Sequence, residues 1–237
     1  MDLKKILPVF SYIFHPIFVS IYGTLFFFLI TNSFYYNSQI IVTLVQVTIL
    51  TLLLPLSMYF LFRSLGVVSS FTEASISERK MPIAVQAILL FVLIKFSVSQ
   101  DSVAELYFFF LGGFLSSVIV LASVILKFKA SLHMIGISAL TCFIFGLSMY
   151  YQLPFVNLIA FCIVCIGLVA SSRLYMKAHT YTELIAGILI GAVFVSVLVI
   201  RYKTSNQFSK LSCYFQQRFY PYQNKDLNHN EYKHSKC

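Results

Sequence analysis

The sequence predicts an all-α integral membrane protein, a bundle of six to seven transmembrane helices. Of its 237 residues, 59% are hydrophobic and only 11% are charged, whereas a soluble domain carries about 25% charged residues. Several apolar runs come near the ~20 residues that a helix needs to cross a hydrocarbon core of ~30 Å. The runs are continuous, and they lack the alternation that is typical of strands in a membrane β-barrel. Composition, run length and run pattern therefore all indicate helices.

The first predicted span lies within residues 1–30. These residues resemble a signal peptide at their start, but the apolar run is too long and no small-residue cleavage site follows, so we expect the span to be retained. Pro16 is expected to start or kink this helix, because proline has no N–H to donate within a helix. The polar stretch TNSFYYNSQ then turns the chain towards span two, at about 40–62.

Five further apolar runs follow, separated by polar or charged residues. We predict the remaining spans at about 83–98, 104–126, 131–151, 154–170 and 182–200. Residues 1–200 would then form one membrane-embedded domain. The remaining residues, 201–237, are basic, polar and rich in aromatic side chains, and we expect them to form a flexible tail.

The formal net charge of +9 does not indicate nucleic-acid binding in this chain. The cations lie mostly at the ends of spans and in the tail, where lipid headgroups and the membrane surface are the usual partners. Cys162 and Cys165 have C-x-x-C spacing but lie in the middle of a span, without a histidine or a charge nearby. Such cysteines behave as small hydrophobic residues, so we predict neither a metal site nor a disulfide framework.

Three polar stretches follow spans two, four and six, so all three are predicted at the same face of the membrane. The first ends in ERKMP at 78–82, the second is KFKASLH at 127–133, and the third is SSRLYMKAHTYTE at 171–183. Together they place two histidines and several cations at one face. Ionisable groups within a membrane protein are energetically expensive and usually functional, so this face is the predicted site.

Two histidines and several cations with few carboxylates fit the chemistry of phosphate. Aspartate occurs only at positions 2, 101 and 226, which leaves no aspartate pair in the membrane region to hold magnesium and argues against a prenyltransferase. Guanidinium and ammonium groups can stabilise a phosphoryl group without metal. One histidine can attack phosphorus while another protonates the leaving oxygen. We therefore predict phosphate handling without a metal or other cofactor.

The spacing within the third stretch suits this chemistry. His179 and Glu183 are four residues apart, so they would share one face of a helix, and a carboxylate behind a histidine can fix its tautomer. The N-terminus of that helix would also favour a bound anion. Arg173, six residues before His179, is expected on the turn that enters the helix, within reach of the same anion.

The same stretches resemble three motifs of the type-2 phosphatidic acid phosphatase and haloperoxidase superfamily. The residues at 172–183, SRLYMKAHTYTE, resemble its third motif, S-R-x5-H-x3-D. ASLH at 130–133 is similar to its second motif, P-S-G-H, and ERKMP at 78–82 resembles a divergent form of its first, K-x6-R-P. The resemblance covers about residues 70–200 and implies a core like that of the type-2 phosphatidic acid phosphatases.

The resemblance implies a role for each matching residue. His179 would be the nucleophile that forms a phosphohistidine, Glu183 would orient it, and His133 would be the general acid for the leaving group. Four further residues would hold phosphate oxygens: Arg173, Arg79, Ser131 and Lys80.

Several positions depart from the motifs. The aspartate of the third motif is Glu183 in this chain, one methylene longer. The lysine of the first motif has no counterpart at its spacing, so Lys80 or Lys177 would have to replace it. The proline and the glycine of the second motif are Ala130 and Leu132.

Three more polar residues lie near the same face without matching a motif. Lys127 and Lys129 are predicted to anchor lipid headgroups. His15 is predicted to be a structural residue, although an even number of spans separates it from the site.

The resemblance implies hydrolysis of a phosphorylated lipid, either a phosphomonoester or an isoprenyl diphosphate, among membrane lipids. The departures leave an alternative open, a catalytically weakened relative that binds phosphorylated lipid or serves as a membrane interaction protein. A proton-coupled transporter is favoured less because no inverted repeat is visible, and a haloperoxidase because most of the chain is membrane span. We expect a bacterial inner membrane protein with its basic tail inside and its site facing outward, in an oligomeric state that these patterns leave open.

Overall fold

The computed structural model describes residues 3–66, 78–100 and 102–192, and this part of the chain consists of helices joined by turns, with no strand. The prediction of an all-α protein is confirmed. The helices are α1 (Leu3–Ile13), α2 (Pro16–Thr31), α3 (Asn37–Ser64), α4 (Lys80–Phe96), α5 (Ala104–Ile125), α6 (Leu132–Tyr151), α7 (Val156–Tyr175) and α8 (Tyr181–Ala192). One π-helical turn, Ile49–Leu53, lies within α3, and a short 3₁₀ turn, Asn32–Phe34, follows α2.

Four of these helices, α3, α5, α6 and α7, are long and apolar enough to cross a membrane. The bent pair α1 and α2 would make a fifth if it forms one broken span. The described helices are therefore compatible with an integral membrane protein. The count of six to seven spans stays a prediction, and the tail at 201–237, together with the end of predicted span seven, lies outside the described residues.

The first predicted span is broken near its middle. Pro16 is the first residue of α2, as expected for a residue that has no N–H to donate. The part of α1 from Leu7 to Ile13 meets α2 at an angle of 62°. The chain turns at Phe14 and His15, where the N–H of Phe18 donates to the carbonyl of His15 (2.9 Å). This break places His15 at the end of the bundle that holds the predicted site.

Helix α6 forms the centre of the bundle. It is the most buried of the four candidate spans, with 61% of its apolar window inside the protein against 33% or less for the other three. It packs against α2, α5 and α7, and α1 packs against α7. Stacked rings of Phe109 and Phe143, 4.4 Å apart, join α5 to α6 in the core. Because lipid supplies little hydrophobic driving force between helices, such close packing holds the bundle together.

Two similar turns carry the predicted site. Helix α5 ends at a turn with Lys127 in the left-handed conformation (φ 63°), and α7 ends in the same way at Lys177 (φ 52°). A left-handed residue is a common way to end a helix, although glycine is the usual choice. In both turns the chain reverses within a few residues and starts the next helix, α6 or α8. The segments that follow the two lysines lie side by side, since the N–H of Ser131 donates to the carbonyl of Glu183 (3.2 Å).

A glycine lets α8 approach α6 closely. A Cβ atom on Gly187 would lie 2.8 Å from the carbonyl oxygen of Ser131 and 2.9 Å from Cβ of Met134. No side chain fits there without a shift of one helix, which is the circumstance in which a protein needs glycine. The close contact fixes α8 against the first turn of α6, and with it the relative position of the polar stretches at 127–133 and 171–183.

The opposite end of the bundle is closed by its own side chains. There the hydroxyl of Tyr151, at the end of α6, donates to Oε1 of Glu105 in the first turn of α5 (2.8 Å). Burial, and then the charge of Glu105, raises the pKa of nearby Tyr35 to about 12. This carboxylate therefore has a hydrogen-bond partner within the protein.

Candidate functional site

His179 and Glu183 form a buried pair at the start of α8. Nδ1 of His179 lies 2.9 Å from Oε2 of Glu183, and the two side chains are 2% and 18% exposed. An ionised carboxylate only accepts hydrogen bonds, so the proton sits on Nδ1 and the lone pair on Nε2 of the ring. That is the tautomer a histidine nucleophile requires. The longer side chain of Glu183 thus reaches the imidazole.

The placement of His179 on a helix was wrong. The residue lies in the turn before α8, whose first residue is Tyr181. Glu183 is in the first helical turn, and its Oε2 also accepts from the backbone N–H of Thr180 (3.1 Å). This second bond is half of a capping box, in which a carboxylate at the third helical position reaches back to the residue before the helix. Two donors therefore hold the carboxylate in place.

The surroundings of His179 keep its ring neutral. Burial lowers the pKa of His179 from 6.5 to about 4. The hydrogen bond that its Nδ1–H donates to Glu183 opposes this, and the charges of Arg173, Arg79 and Lys129 lower the pKa further. Burial disfavours the charged form of an imidazole, and neighbouring cations act in the same direction. At neutral pH the ring therefore keeps its lone pair.

Arg173 supplies a buried guanidinium next to this pair. It lies in the last turn of α7, and not on the turn that enters α8 as expected, so that placement was wrong. Only 8% of the residue is exposed. Its Nε is buried and has no hydrogen-bond partner within the described part of the chain. A buried donor without a partner costs about 1–3 kcal/mol, and more for a charged group, so this arrangement favours an anionic ligand.

Ser131 supplies a second buried donor. It is the residue before α6 and is 0% exposed. A serine at this position usually caps the helix with its hydroxyl, but Ser131 makes no such bond. Among the described residues its Oγ also has no other partner. The hydroxyl lies at the N-terminus of α6, where a helix leaves its first N–H groups without partners of its own, a combination that favours a bound anion.

Two further cations lie close to the pair. Arg79 immediately precedes α4 and is half-buried; burial lowers the pKa of Arg79, and the charge of Glu183 raises it. Lys129 donates from Nζ to the carbonyl of Ala178 (3.0 Å), next to His179. Burial and the charge of Arg79 lower the pKa of Lys129. Lys129, for which we predicted a headgroup contact, therefore lies within the site.

Neither of the two lysines proposed to replace the missing lysine of the first motif is buried. Lys80, the first residue of α4, and Lys177 are exposed, as is Lys127. Lys129 is the lysine whose charge acts on His179. The sequence pattern did not identify it, because a lysine just after a predicted span is usually a headgroup anchor.

His133 lies on the first turn of α6, next to Ser11 of α1 and to His15 in the turn that follows. Its ring is half-buried and interacts electrostatically with Arg173, His15 and His179, in addition to a hydrogen bond with the backbone of Ser11. The ring of His15 lies 5.0 Å away, nearly perpendicular at 88°. Sequence reasoning missed this neighbour, although its predicted place on the same face was a clue.

A hydrogen bond between two serines ties α1 to the site. Oγ of Ser11 and Oγ of Ser172 are 2.7 Å apart in a buried position, one residue before Arg173. The first helix therefore contributes to the same end of the bundle as the three motifs.

An apolar cavity begins beside the two histidines. It has a volume of about 490 Å³ and is lined by residues from α1 to α6. The lining includes His15, and also Leu132 and Gly136 on the first turns of α6. Pockets of this size and apolar character are typical of sites for small organic molecules.

Within the described ranges, no group of three or more histidine, cysteine, aspartate or glutamate side chains is arranged to hold a metal ion. The absence of a cofactor stays a prediction. No family model, curated protein or solved structure matches the chain.

Proposed function

We propose that the chain is a membrane phosphatase related to the type-2 phosphatidic acid phosphatases. It hydrolyses a lipid phosphomonoester or an isoprenyl diphosphate through a phosphohistidine, without metal. The bundle has six to seven spans, and the site faces outward from a bacterial inner membrane. The observation that carries the proposal is the buried pair of His179 and Glu183 (2.9 Å). It lies beside Nε of Arg173, which has no hydrogen-bond partner among the described residues.

A phosphoryl group suits the unsatisfied donors of the site. Nε of Arg173 and Oγ of Ser131 are buried without partners in the described part of the chain, and the charges of Arg79 and Lys129 act on the same place. A phosphoryl group offers three equatorial oxygens, which guanidinium, ammonium and backbone donors can bind together. Donors fixed before the substrate arrives stabilise transition-state charge without further reorganisation.

The first chemical step transfers the phosphoryl group to the protein. Nε2 of His179 attacks phosphorus, the N–P bond forms, and the P–O bond to the lipid breaks. Glu183 accepts the hydrogen bond from Nδ1 and stabilises the positive charge that develops on the ring. The negative charge of the bound phosphate favours the protonated form of His133, which gives its proton to the leaving oxygen as general acid.

The second step regenerates the protein. A water molecule loses its proton to His133 and attacks phosphorus, so that an O–P bond forms and the N–P bond breaks. Phosphate leaves with its oxygens released from Arg173, Arg79 and Ser131. His133 is again protonated, and His179 again has its lone pair.

The apolar cavity supports a lipid substrate over a soluble phosphate ester. The cavity has a volume of about 490 Å³, and His15 is part of its lining. The ring of His15 contacts that of His133. A hydrocarbon chain in the cavity would place the phosphate of the same molecule among the cations. Remote apolar contacts of this kind help to hold a reacting group in position.

A second candidate function is a protein that binds phosphorylated lipid without turnover. One observation favours it, because the bond from the N–H of Thr180 gives Glu183 a structural role in starting α8. The carboxylate would then be present for the fold and not for chemistry. Phosphate release distinguishes the two candidates.

The test is phosphate release by purified full-length protein in detergent with EDTA, from phosphatidate and from undecaprenyl diphosphate. We expect turnover of at least one substrate, and a loss of at least roughly a thousandfold for His179→Ala, since removal of a nucleophile leaves only residual catalysis. The matched control is Lys177→Ala, an exposed residue two positions away, with full activity expected. Full activity in His179→Ala would overturn the nucleophile, and binding without release would favour the second candidate.

A further inference from the structure

His15 lies at the junction of the site and the apolar cavity, and the motifs assign it no role. It occupies the break between α1 and α2, and its side chain lines the cavity. The backbone N–H of Ile17 donates to Nδ1 of His15 (3.4 Å). With Nδ1 as an acceptor, the neutral ring carries its proton on Nε2. The ring is thus held in one tautomer by the turn that Pro16 begins.

The ring of His15 packs against that of His133. The two ring centroids are 5.0 Å apart and the planes are nearly perpendicular, at 88°. Edge-to-face contacts at this distance are a favoured geometry for aromatic rings. The backbone of Ser11 hydrogen bonds to the His133 ring as well. The two contacts come from α1 and the turn after it, and together they restrict rotation of His133.

The segment that carries these contacts is itself fixed. Helix α1 packs along α7, and the buried bond between Ser11 and Ser172 (2.7 Å) joins them one residue before Arg173. The orientation of the His133 ring is therefore linked to the position of the guanidinium that would hold the phosphate.

We infer that His15 is a positioning residue, which holds the imidazole of His133 in the orientation from which it gives its proton to the leaving oxygen. The inference rests on the proposed phosphatase function. A general acid must lie within hydrogen-bond reach of the oxygen that it protonates, and small misplacements of a reacting group can cost about a hundredfold in rate. His15 touches neither phosphate nor leaving group in this account and acts through His133.

Two substrates with different leaving groups distinguish a residue that positions the general acid from a residue with a general structural role. The alkoxide of a lipid needs a proton as it departs, whereas nitrophenolate departs without one. We expect His15→Ala to lower kcat for phosphatidate about 10- to 100-fold and to leave kcat for nitrophenyl phosphate nearly unchanged. His15→Phe, which keeps a ring at this position, should recover part of the loss. The matched control is Ile13→Ala, at the exposed last residue of α1, two positions before His15, which should behave as the wild type.

A second measurement does not depend on activity. In nitrogen-15 spectra of histidine-labelled protein, His15→Ala should shift the ring signals of His133 and leave those of His179 in place. Equal losses of kcat on both substrates, or unchanged His133 signals, would overturn the inference. A different result is a wild type that releases no phosphate while the His133 signals still shift in His15→Ala. In that case the contact between the two rings is supported, but the proposed phosphatase function and the acid role of His133 are both overturned.

Discussion

The two ends of the bundle handle buried polar groups in opposite ways. At the end where α5 begins and α6 finishes, Glu105 and Tyr151 satisfy each other across 2.8 Å. At the other end of the same two helices, Nε of Arg173 and Oγ of Ser131 are buried without a partner in the described part of the chain. Native proteins leave few such groups unsatisfied. The carboxylate at the first end has a partner within the protein, whereas the second end presents unsatisfied donors, as the proposed phosphate site requires.

The charge at the two ends differs as well. The closed end pairs one carboxylate with a hydroxyl, whereas three cations, Arg79, Lys129 and Arg173, act on His179 at the other. Cations gathered where water is excluded destabilise each other unless an anion joins them. This difference predicts that substitutions at the site end change function more than stability, and that substitutions at the closed end do the reverse.

The largest effect should come from Glu183. Glu183→Gln keeps an oxygen that can accept from Thr180 and from Nδ1 of His179, so α8 should still start correctly, but the charge that stabilises the imidazolium is lost. By analogy with other histidine–carboxylate pairs, we expect phosphate release to fall about a thousandfold or more. Thermal unfolding should change little. Phosphate release near the wild-type rate would show that Glu183 serves the helix alone.

A pair of substitutions tests the comparison between the ends directly. Arg173→Met removes a buried charge and keeps an apolar side chain of similar length; activity should fall about 10²- to 10³-fold, while the unfolding temperature holds or rises. Tyr151→Phe leaves Glu105 without its donor, so the free energy of unfolding should fall by about 1–3 kcal/mol, with kcat intact. Thermal scans and phosphate release on both variants give the result. The same loss of stability in both would remove the distinction between the ends.

The titration of His179 gives a third prediction. Because burial lowers its pKa to about 4, the ring should stay neutral from pH 7 to about 5 and become protonated only near pH 4. The unfolded chain takes up this proton near 6.5, so stability is lost as the pH falls from 6.5 towards 4. Glu183 raises the pKa, so the midpoint in Glu183→Gln should move lower still, and bound phosphate should move it higher. Carbon or nitrogen NMR of the labelled ring measures these midpoints, and a wild-type midpoint near 6.5 would show that the ring is not desolvated.

The smallest predicted loss of activity distinguishes Lys129 from Lys80. Lys129 contacts the backbone next to His179 (3.0 Å to the carbonyl of Ala178), whereas Lys80 is exposed. Lys129→Ala should weaken phosphate release about tenfold, as expected for one charged contact worth roughly 1.4 kcal/mol, and Lys80→Ala should leave it unchanged. Equal losses of phosphate release in the two variants would indicate that Lys80 also belongs to the site.

The sequence predicts the longest helices well and the site only in outline. Predicted spans at 40–62, 104–126 and 131–151 correspond to α3, α5 and α6 (Asn37–Ser64, Ala104–Ile125 and Leu132–Tyr151), because long apolar runs leave no alternative to a helix in lipid. The predicted end of span six at 170 was too early, since α7 continues to Tyr175. Its polar last turn suggested a loop, but the polar side chains of Ser172 and Arg173 are buried.

Contacts between segments that are distant in the chain could not be predicted from the sequence patterns. Helical periodicity says which residues share a face of one helix, but it does not say which neighbour that face meets. The approach of His15 to His133 depends on the 62° break after α1. The place of Lys129 beside Ala178 depends on two turns that lie side by side. Neither of these two contacts could be identified without the structure.

The most direct test of the central claim is to trap the phosphoryl group on the protein. Full-length protein with EDTA is mixed with labelled phosphatidate, quenched in alkali, and analysed by mass spectrometry of its peptides. The account predicts a phosphohistidine at His179 that is stable in alkali, lost in acid and absent from His179→Ala. In His133→Ala it should accumulate with nitrophenyl phosphate, whose leaving group departs without a proton, because only its hydrolysis then slows. Turnover by the wild type with no label on His179 would contradict it.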